Sequence, residues 1–589
     1  MFSKVLVANR GEIAIRVFRA LREMGIGSVA VYSEADRDAM HTAYADEAIL
    51  LGPAAAAESY LNIDKILDAA ERTGAEAIHP GYGFLAENEN FAQAIEDAGL
   101  VWVGPPPSAI VTMGDKVSAR QAAVKAGAPV VPGTIDPITD PAEIRAFAEE
   151  HGLPIAIKAS FGGGGRGFKV VRTMEEMEDA LGSAQREAAM SFGRDEVYLE
   201  RYLEGAKHIE AQIVADKHGN VLFFGERECS MQRRHQKLVE EAPSPVLTPE
   251  VRERLREACV AICKQVGYVN AGTVETLLDA DRERFYFMEM NTRLQVEHPV
   301  TEMVTGVDLA KLQILVAAGE KLPLTQDQIQ MRGHAIEVRV NAEDPSKKFM
   351  PSPGRIGRYR VPTGPGVRVD SGFGENTEIS RFYDSLVAKL IVWAEDRDAA
   401  RMRMVRAIDE YVIEGIKTTL PFHRIAMTDP GFASGEYSTS YVETEMDLSG
   451  LKKSEPAAKV AAPDAPDART LTVEVNGKRF EVRVDGLGAA GTTAAAATPA
   501  GGKPSAPVAE SAAVHGGGGA MDVVAPMQGT IVKTVVEAGA TVKAGDLLIV
   551  LEAMKMENHI TAPRDGTVAS LSVKPGQNVE GGAVVAVIE

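Results

Sequence analysis

The chain has 589 residues, of which 45% are hydrophobic and 25% charged, a composition that is typical of a folded globular protein and excludes a largely disordered one. Its 63 Lys and Arg residues are outnumbered by 83 Asp and Glu residues, and the net charge of −20 argues against a surface that binds nucleic acid or an anionic membrane. Three cysteines are too few for a disulfide framework, and no apolar run of roughly 18 residues predicts a membrane span, so we expect a cytoplasmic protein of about four domains.

The first predicted elements form a βαβ unit typical of a Rossmann-like domain. Apolar strands over 5–8 and 28–32 flank a helix whose apolar residues recur at helical spacing, namely Ile13, Val17, Leu21 and Met24. The connection between the first strand and the helix lacks the GxGxxG pattern, which argues against a nicotinamide cofactor. Strand and helix patterns then alternate up to about Asp447, which indicates an α/β fold.

A glycine-rich loop lies between two β-rich segments over 155–171. Its four consecutive glycines, 162–165, bring backbone amides without side chains, and such amides can approach phosphate oxygens closely. The loop is not a Walker loop, because it lacks GK[ST] and no helix follows. Lys158 on the entering strand and Lys116 upstream could each offer positive charge to phosphates. Taken alone, a flexible turn and two surface lysines would account for the same residues.

Three oxygen-bearing side chains further along predict a magnesium site. Glu289 and Asn291 are two residues apart on a predicted strand, so they project to one face, and Glu275 can supply a further carboxylate. Such ligands suit Mg²⁺, which leaves its remaining positions to phosphates and water. A charged strand edge is the alternative interpretation. Together with the glycine loop and the two lysines, the set favours an ATP–Mg²⁺ site.

A basic segment stands out in this acidic protein, and its members are Arg233, Arg234, His235 and Lys237. It predicts either a pocket for small anions or a solvated basic turn. Cys229 has no CxxC partner, and Cys259 and Cys263 lie four residues apart in a helical pattern, so no cysteine-based metal site is predicted.

Two features precede the C-terminal domain. An Asn-Gly pair separates alternating apolar runs over 471–484, which is the strongest short signal for a β-hairpin; whether the hairpin docks on this chain or on a partner stays open. From 487 to 520 the sequence is rich in Ala, Gly and Pro and has no aromatic residue. Because this segment cannot bury enough apolar surface to offset its ordering entropy, we predict a mobile tether.

The last 69 residues contain an internal repeat with an offset of 37 residues. Ala525-Pro526 with Gly529-Thr530 recurs as Ala562-Pro563 with Gly566-Thr567. Short β-rich halves with glycine turns predict a flattened all-β sandwich with quasi-twofold symmetry. Between the halves, Lys555 lies at a predicted exposed turn with a methionine on each side.

The setting of this lysine resembles the biotinyl domain of biotin-dependent carboxylases, whose attachment motif is matched in full by Ala553-Met554-Lys555-Met556. The related lipoyl domains share the predicted shape. Their lysine typically follows an acidic residue, whereas here it lies between two methionines. The resemblance therefore favours covalent biotin over lipoate.

Residues 1–447 resemble the biotin carboxylase family of ATP-grasp enzymes. The match is dense and in the expected order, and its further signatures are Asn9-Arg10-Gly11-Glu12-Ile13, His79-Pro80-Gly81-Tyr82-Gly83-Phe84-Leu85-Ala86-Glu87-Asn88 and Arg332-Gly333-His334-Ala335-Ile336-Glu337. With the carrier domain fused to it, the chain looks like the α-subunit of a bacterial acyl-CoA carboxylase of the acetyl- or propionyl-CoA type. The resemblance implies an α/β protein with a Rossmann-like N-terminal domain at 1–114, an ATP-grasp domain at 115–333, a biotin carboxylase C-terminal domain at 334–447, a linker at 448–520 with the hairpin at 471–484, and an all-β biotinyl domain at 521–589.

The same resemblance implies roles for individual residues. ATP would be bound by Lys116, Lys158, Gly164, Gly165, Glu200, Arg201, Tyr202, Leu203, His208 and His235. Mg²⁺, with Mn²⁺ as an alternative, would be held by Glu275, Glu289 and Asn291. Bicarbonate would be surrounded by Lys237, Arg293, Gln295, Val296 and Glu297. Within that set Glu297 would be the general base, while Arg339, with Tyr82 nearby, would face the biotin ring.

The implied reaction is the ATP-dependent carboxylation of biotin by bicarbonate, in which ATP activates bicarbonate as carboxyphosphate. Biotin on Lys555 would then carry the carboxyl group on the tether. No segment is long enough for a carboxyltransferase, so we expect the partners to be a separate carboxyltransferase β-subunit, in an oligomeric complex, and transiently a biotin protein ligase. The length of the acyl chain stays open. Two other hypotheses are a different ATP-grasp ligase with a lipoyl-like domain and a non-catalytic biotin-carrying scaffold.

Overall fold

The computed structural model describes residues 1–134, 137–138, 140–159, 168–192, 196–451, 469–475, 478–484, 521–526, 529–553, 556–579 and 582–589. Two compact units divide the chain, the first over Met1–Ala458 and the second over Lys459–Glu589. Among the described residues, no helix has both the length and the apolar character that a membrane span requires.

A five-stranded parallel sheet begins the first unit. Its strands, β1 to β5, are Lys4–Val7, Gly27–Ser33, Glu47–Gly52, Ala77–His79 and Val101–Trp102. The accompanying helices, α1 to α5, are Gly11–Glu23, Met40–Tyr44, Ile63–Thr73, Glu89–Asp97 and Pro107–Gly114. The strand order is β3-β2-β1-β4-β5, and Ile13, Val17 and Leu21 of α1 are buried in the core beside the sheet, with Met24 partly buried. The predicted βαβ unit and Rossmann-like domain are confirmed.

A small three-stranded sheet flanks the predicted glycine loop. Two helices precede it, α6 and α7, at Lys116–Lys125 and Pro141–His151. The next elements are β6, β7, α8 and β8, at Ile155–Ala159, Phe168–Val171, Met177–Phe192 and Val197–Arg201. The sheet order is β7-β6-β8, and the two predicted β-rich segments are β6 and β7, which pair antiparallel. The loop between them, residues 160–167, lies outside the described residues. This loop includes Gly164 and Gly165, two of the predicted ATP residues.

Eight antiparallel strands make up the largest sheet of the first unit. Strands β9 to β13 are Lys207–Ala215, Val221–Arg233, Gln236–Ala242, Asn270–Leu278 and Phe285–Asn291, and helices α9 to α11 are Pro249–Gln265, His298–Thr305 and Leu309–Ala317. Nine further strands follow, of which β14, β19 and β21 belong to this sheet. Strands β14 to β22 are His334–Asn341, Glu343–Asp344, Met350–Pro351, Gly354–Arg355, Tyr359–Arg360, Val367–Ser371, Glu378–Ile379, Leu386–Ala394 and Val412–Ile413. Helices α12 to α15 are Arg397–Glu410, Leu420–Ala426, Pro430–Ser434 and Tyr441–Thr444.

The order of this sheet is β13-β12-β9-β10-β11-β14-β21-β19. All nine residues of β9 are buried, which is typical of a strand covered on both faces. Because β11 pairs with β14, the sheet continues across the predicted domain limit between 333 and 334. The domain limits stay predictions. Cys229, Cys259 and Cys263 are all buried free thiols.

The second unit contains the predicted hairpin and a small all-β domain. Strands β23 and β24, Arg469–Val475 and Lys478–Val484, pair antiparallel as predicted. Asn476 and Gly477 of the turn lie outside the described residues, as does the predicted tether at 487–520.

The small domain consists of two four-stranded sheets that repeat each other. Its strands, β25 to β32, are Met521–Val524, Gly529–Thr534, Thr541–Val542, Leu547–Ala553, Met556–Thr561, Gly566–Leu571, Asn578–Val579 and Val584–Ile588. The orders β25-β32-β30-β27 and β29-β28-β26-β31 match position by position when each strand is exchanged for its counterpart in the other half. The predicted all-β domain built on an internal repeat is confirmed.

One buried ion cluster in the large sheet predicts how the stability of the first unit depends on pH. Glu241 is fully buried and accepts hydrogen bonds from His334 Nε2 at 2.6 Å, Arg397 Nε at 2.7 Å and the Tyr437 hydroxyl at 2.6 Å. Burial alone would raise the pKa of Glu241, but the hydrogen bonds and positive charge of His334 and Arg397 outweigh it and lower that pKa to about 2. The cluster therefore stabilises the fold above the usual carboxyl pKa of 4.5, and this contribution is lost as the pH falls towards 2.

We expect Glu241→Gln to lower the free energy of unfolding at pH 7 by about 3 kcal/mol and to flatten its decline between pH 4.5 and 2. Urea unfolding followed by tryptophan fluorescence measures this directly, because both tryptophans, Trp102 and Trp393, lie in the first unit. An unchanged unfolding midpoint at pH 7 would show that the cluster does not stabilise the fold.

Candidate active site

Lys237 on β11 lies at the centre of a group of carboxylates. Its Nζ contacts Glu210 and lies 3.0 Å from Glu275 Oε1 and 2.9 Å from Glu297 Oε1. Burial alone would lower the pKa of Lys237, but the three carboxylates raise it well above the usual value. The side chain is therefore a cation in this setting. It can exchange one carboxylate partner for an incoming anion and keep its charge, because the anion provides the same stabilisation.

Glu297 is held between two cations. Lys237 contacts one carboxylate oxygen, and Arg339 Nη2 donates to the other at 2.8 Å. Burial alone would raise the pKa of Glu297, but Lys237 and Arg339 lower it well below the usual range. Glu297 is therefore ionised and can accept a proton, although its basicity is suppressed while both cations stay on it.

Hydrogen bonds hold both the side chain and the backbone of Arg339. Its Nε donates to Glu240 Oε1 at 2.6 Å, and its backbone carbonyl accepts hydrogen bonds from Thr419 Oγ1 and His423 Nε2, each at 2.7 Å. Burial raises the pKa of Glu240 to about 7 against the opposing charge of Arg339. The guanidinium therefore has a defined position beside Glu297, on the strand β14 that lies next to β11.

The three predicted metal ligands lie together on β12 and β13. Glu275 is directly opposite Glu289, Asn291 is opposite Thr273, and Asn291 Nδ2 donates to Glu275 Oε1 at 2.6 Å. The pKa of Glu289 is raised because the surrounding protein displaces water from one side of this otherwise exposed carboxylate, and because Glu275 repels it. Two facing carboxylates with an amide oxygen beside them fit Mg²⁺, since a cation relieves their repulsion.

His208 joins the same acidic cluster. Its Nε2 lies 2.8 Å from Glu275 Oε2, and the ligand atoms of His208, Glu210 and Glu275 all lie within 4.8 Å of one another. Burial alone would lower the pKa of His208, but Glu275 outweighs it and raises that pKa.

Four of the five predicted bicarbonate residues, Arg293, Gln295, Val296 and Glu297, lie in one loop between β13 and α10, and the fifth, Lys237, is on β11. Arg293 Nε donates to Glu87 Oε2 at 2.9 Å, and Arg293 Nη2 donates to Asn291 Oδ1 at 2.8 Å. Gln295 Nε2 donates to Glu275 Oε1 at 2.8 Å, which links the loop to the predicted metal ligands. The Val296 carbonyl accepts a hydrogen bond from Lys389. The loop thus connects the acidic cluster with Glu297.

Two of the predicted ATP residues on the small sheet are paired with each other, and the next ones along the chain contact other residues. Lys158 on β6 forms an ion pair with Glu200 on β8, and Arg201 Nη1 lies 3.7 Å from Asp279. Tyr202 and Leu203 follow directly on β8, and the Tyr202 amide donates to Pro154 at 3.0 Å. Lys116, the first residue of α6, lies close enough to lower the pKa of Glu289 against the burial that raises it. This lysine therefore belongs to the region of the predicted metal ligands.

The structure separates the four cations of the basic segment, so they do not form a common pocket. Arg233 lies 4.7 Å from the ring centroid of Phe349. Arg234 and His235 are exposed and form the turn between β10 and β11, with φ of 48° and 63°. Only Lys237 faces the acidic cluster, because it lies inside β11, beyond the turn.

Tyr82 is the one predicted residue that belongs to the N-terminal sheet region. Its hydroxyl donates to Glu12 on α1. The same carboxylate oxygen of Glu12 lies 3.2 Å from Lys389 Nζ, and Lys389 is opposite Arg339 across β14 and β21. Two contacts therefore separate Tyr82 from the strand pair that carries Arg339.

Several partners of the site were not predicted from the sequence. The buried ones are Glu12, Glu210, Arg227, Glu240 and Lys389, and a further one, Glu87, is exposed. Arg227 is fully buried and donates to Glu210 Oε2 at 3.2 Å, Gln212 at 2.7 Å and Gln295 at 2.5 Å. The sequence contains an indication of Arg227, because this residue interrupts the apolar pattern of β10 and has a charged neighbour on each side.

Lys555 lies between β28, which ends at Ala553, and β29, which begins at Met556. It is outside the described residues, so its predicted exposure stays a prediction.

Four family models match the chain in succession. They are "Biotin carboxylase, N-terminal domain" over 1–110, "Carbamoyl-phosphate synthase L chain, ATP binding domain" over 115–325, "Biotin carboxylase C-terminal domain" over 337–444 and "Biotin-requiring enzyme" over 521–588.

Similar proteins cover either nearly the whole chain or about three quarters of it. The biotin-dependent acyl-coenzyme A carboxylase alpha3 subunit of Mycobacterium leprae is 51% identical over 95% of this chain and 94% of its own length. A pyruvate carboxylase subunit of Methanothermobacter thermautotrophicus is 56% identical over 75% of this chain and 90% of its own. The biotin carboxylase domain of the Hydrogenobacter thermophilus 2-oxoglutarate carboxylase, solved with MgADP, ADP and bicarbonate, superposes with a TM-score of 0.72 at 49% identity. It covers 77% of this chain and 100% of that one.

Proposed function

Because this chain belongs to the biotin-dependent carboxylase family, we propose that it uses ATP and bicarbonate to carboxylate biotin attached to its own carrier domain, as the first half-reaction of an acyl-CoA carboxylase. The chain is an ATP-dependent biotin carboxylase with a biotin carrier domain, and its cofactors are biotin and Mg²⁺ with ATP as co-substrate. The observation that carries the proposal is the ionised Glu297 held between Lys237 and Arg339 beside an acidic metal-type cluster.

Bicarbonate binding would begin with an exchange of partners at Lys237 and Arg293. Both cations are paired with carboxylates in the structure, and an incoming anion can replace Glu297 on Lys237 and Glu87 on Arg293. As Lys237 turns to the anion, the charge that lowers the pKa of Glu297 weakens, so this pKa rises. Glu297 thereby becomes a stronger base at the moment when bicarbonate presents its proton.

The ATP-side residues would hold the nucleotide and its metal. Glu275, Glu289 and Asn291 would bind Mg²⁺, which when bound neutralises charge on the transferring phosphoryl group. Lys116 and Lys158 would contact the phosphates, and Gly164 and Gly165 would cover them with backbone amides. The remaining proposed nucleotide contacts are Glu200, Arg201, Tyr202, Leu203, His208 and His235.

Arg339 would face the biotin ring, with Tyr82 nearby. A fixed guanidinium stabilises negative charge that develops on the acceptor when its proton leaves, since little reorganisation is needed at that moment. Lys555 would deliver the ring from the carrier domain, and tethering would replace bulk diffusion by an effective concentration.

The second half-reaction would need a separate carboxyltransferase β-subunit, and a biotin protein ligase would modify Lys555. An acyl-CoA acceptor is supported by the carboxylase subunit from Mycobacterium leprae, which matches almost the whole chain. Relatives named for pyruvate and 2-oxoglutarate are 56% and 49% identical over 75% and 77% of this chain, which supports a catalytic body that does not itself select the acceptor.

We expect Arg339→Ala to lower ATP turnover that depends on bicarbonate and free biotin by about 10²-fold, because the developing charge loses a fixed donor. Steady-state ATP cleavage with free biotin measures the effect. Arg397→Ala is a matched control, since Arg397 is also paired with a buried glutamate, Glu241, but contacts no proposed site residue. Equal losses of turnover in both variants would remove the proposed role of Arg339.

A further inference from the structure

Lys389 is a fully buried lysine on β21, the strand next to the edge strand β19 of the large sheet. It lies on β21 directly opposite Arg339 on β14 and opposite Asp370 on β19. A buried ammonium is strongly destabilising unless its donors have partners, so these partners indicate why a lysine is placed here.

Its Nζ joins two parts of the first unit that are far apart in sequence. It donates to the Val296 carbonyl at 2.8 Å and lies 3.2 Å from Glu12 Oε1. The hydroxyl of Tyr82 donates to the same Glu12 oxygen, and the Tyr82 ring centroid lies 5.8 Å from Nζ. One ammonium group therefore contacts the bicarbonate loop and, through Glu12, the residue proposed to lie beside biotin.

The backbone at the start of α1, which carries Glu12, is closely packed and cannot move far from Lys389. A Cβ atom at Gly372, just after β19, would lie 2.5 Å from the Glu12 amide nitrogen. This close approach of two backbones keeps Glu12 near Lys389. Burial raises the pKa of Glu12 to about 7 against the lowering effect of Lys389.

The hydrogen bond to Val296 orients one peptide group. A peptide unit is planar and trans, so its carbonyl and its N–H point in opposite directions. Lys389 holds the Val296 carbonyl, and the N–H of the same unit belongs to Glu297 and points away from Lys389. Within the described part of the chain, the amides of Val296 and Glu297 donate to no acceptor.

We propose that Lys389 is a positioning residue that sets the Glu297 amide for bicarbonate through the Val296 carbonyl and sets Tyr82 for biotin through Glu12. The inference rests on the proposed function, since it assigns Lys389 to the placement of those two substrates. It assigns no contact between Lys389 and either of them. The two binding sites are coupled through one side chain, so its loss affects both together and leaves the ATP site unaffected.

Lys207 offers a matched control. It is also buried, on β9, and its Nζ donates to the Gly435 carbonyl at 2.8 Å and the Tyr437 carbonyl at 2.5 Å. Successive strand residues face opposite sides, so its side chain points away from that of His208. Replacement of either lysine by methionine removes a buried ammonium group that donates to backbone carbonyl oxygen. Of the two lysines, only Lys389 contacts the proposed site.

The experiment compares the unmodified full chain with Lys389→Met and Lys207→Met, using ATP cleavage with free biotin and urea unfolding. For Lys389→Met we expect KM for bicarbonate and for biotin to rise about 10-fold each, with KM for ATP within about 2-fold. For Lys207→Met we expect a comparable loss of stability and unchanged KM values. Equal KM values in the two variants would overturn the proposal.

A milder variant covers the case in which Lys389→Met does not fold. Glu12→Gln keeps the shape of the side chain and removes its charge, so we expect KM for biotin to rise about 3-fold through Tyr82, with KM for ATP unchanged. An unchanged KM for biotin would overturn the proposal. If the unmodified chain shows no turnover that depends on bicarbonate, the proposed function itself fails, which is a distinct outcome from normal turnover with unaffected variants.

Discussion

Lys555→Arg is expected to abolish transfer of the carboxyl group from bicarbonate to acyl-CoA, while ATP cleavage stimulated by free biotin stays within about 2-fold of the unmodified chain. Arginine keeps the charge and length of the side chain but offers no amine that a biotin protein ligase can acylate. The proposed catalytic residues all lie in the first unit, so we expect them still to act on biotin supplied in solution. The measurement is carboxylation of acyl-CoA by the chain together with its carboxyltransferase.

Lys574→Arg is the matched control for this prediction, because Lys574 is an exposed lysine of the same small domain. It should keep both activities. Intact-mass analysis should show a biotin increment on the control and none on Lys555→Arg. Retained transfer in Lys555→Arg would show that the carrier site lies elsewhere, and a lipoyl increment on the unmodified chain would contradict a biotin carrier.

Glu297→Gln should lower turnover with free biotin by about 10³-fold, since a glutamine cannot accept the bicarbonate proton. The amide keeps the volume of the side chain, so KM for ATP should change little. Lys237 and Arg339 lower the pKa of Glu297 well below its usual range, so the carboxylate stays ionised as the pH falls to the usual carboxyl range near 4.5. Because kcat/KM reports the pKa values of the free enzyme, Glu297 should cause no loss of kcat/KM for bicarbonate between pH 7 and pH 5 in the unmodified enzyme.

Glu241→Gln is the control for this prediction, because it removes a buried carboxylate that is not the proposed base. Glu241 lies on β11, the strand that carries Lys237, and is fully buried and ion-paired like Glu297, but its partners lie outside the proposed site. This variant should lose stability and keep turnover within about 2-fold. A loss in Glu297→Gln that does not exceed that of Glu241→Gln would contradict a catalytic base at 297.

The features that local sequence encodes were predicted well. The 37-residue repeat follows from turns and alternating strands that each half forms by itself, and it reappears in the matching strand orders of the two small sheets. The spacing of Glu289 and Asn291 placed them on one strand, and Glu275 is directly opposite Glu289. The basic segment gave a different outcome, because a turn separates Arg234 and His235 from Lys237.

The buried partners of the site could not be predicted for a physical reason. The Arg339 side chain meets Glu240, which is 99 residues away, and Lys389 meets Val296, which is 93 residues away. Such contacts depend on the order of strands in the large sheet, where β11, β14 and β21 are neighbours although long segments separate them in sequence. The hydrophobic period and the composition of a segment predict that it forms a strand, but they do not predict which strand pairs with it.

The most direct test of the whole account is a single-turnover reaction of the biotinylated full chain with radiolabelled bicarbonate and MgATP, without a carboxyltransferase or acyl-CoA. We expect acid-labile label that stays with the protein, approaches one carboxyl group per biotin, requires ATP and is absent from Lys555→Arg. If a chain shown by mass to carry biotin on Lys555 takes up no label in the presence of ATP, the chain does not carboxylate its own carrier domain.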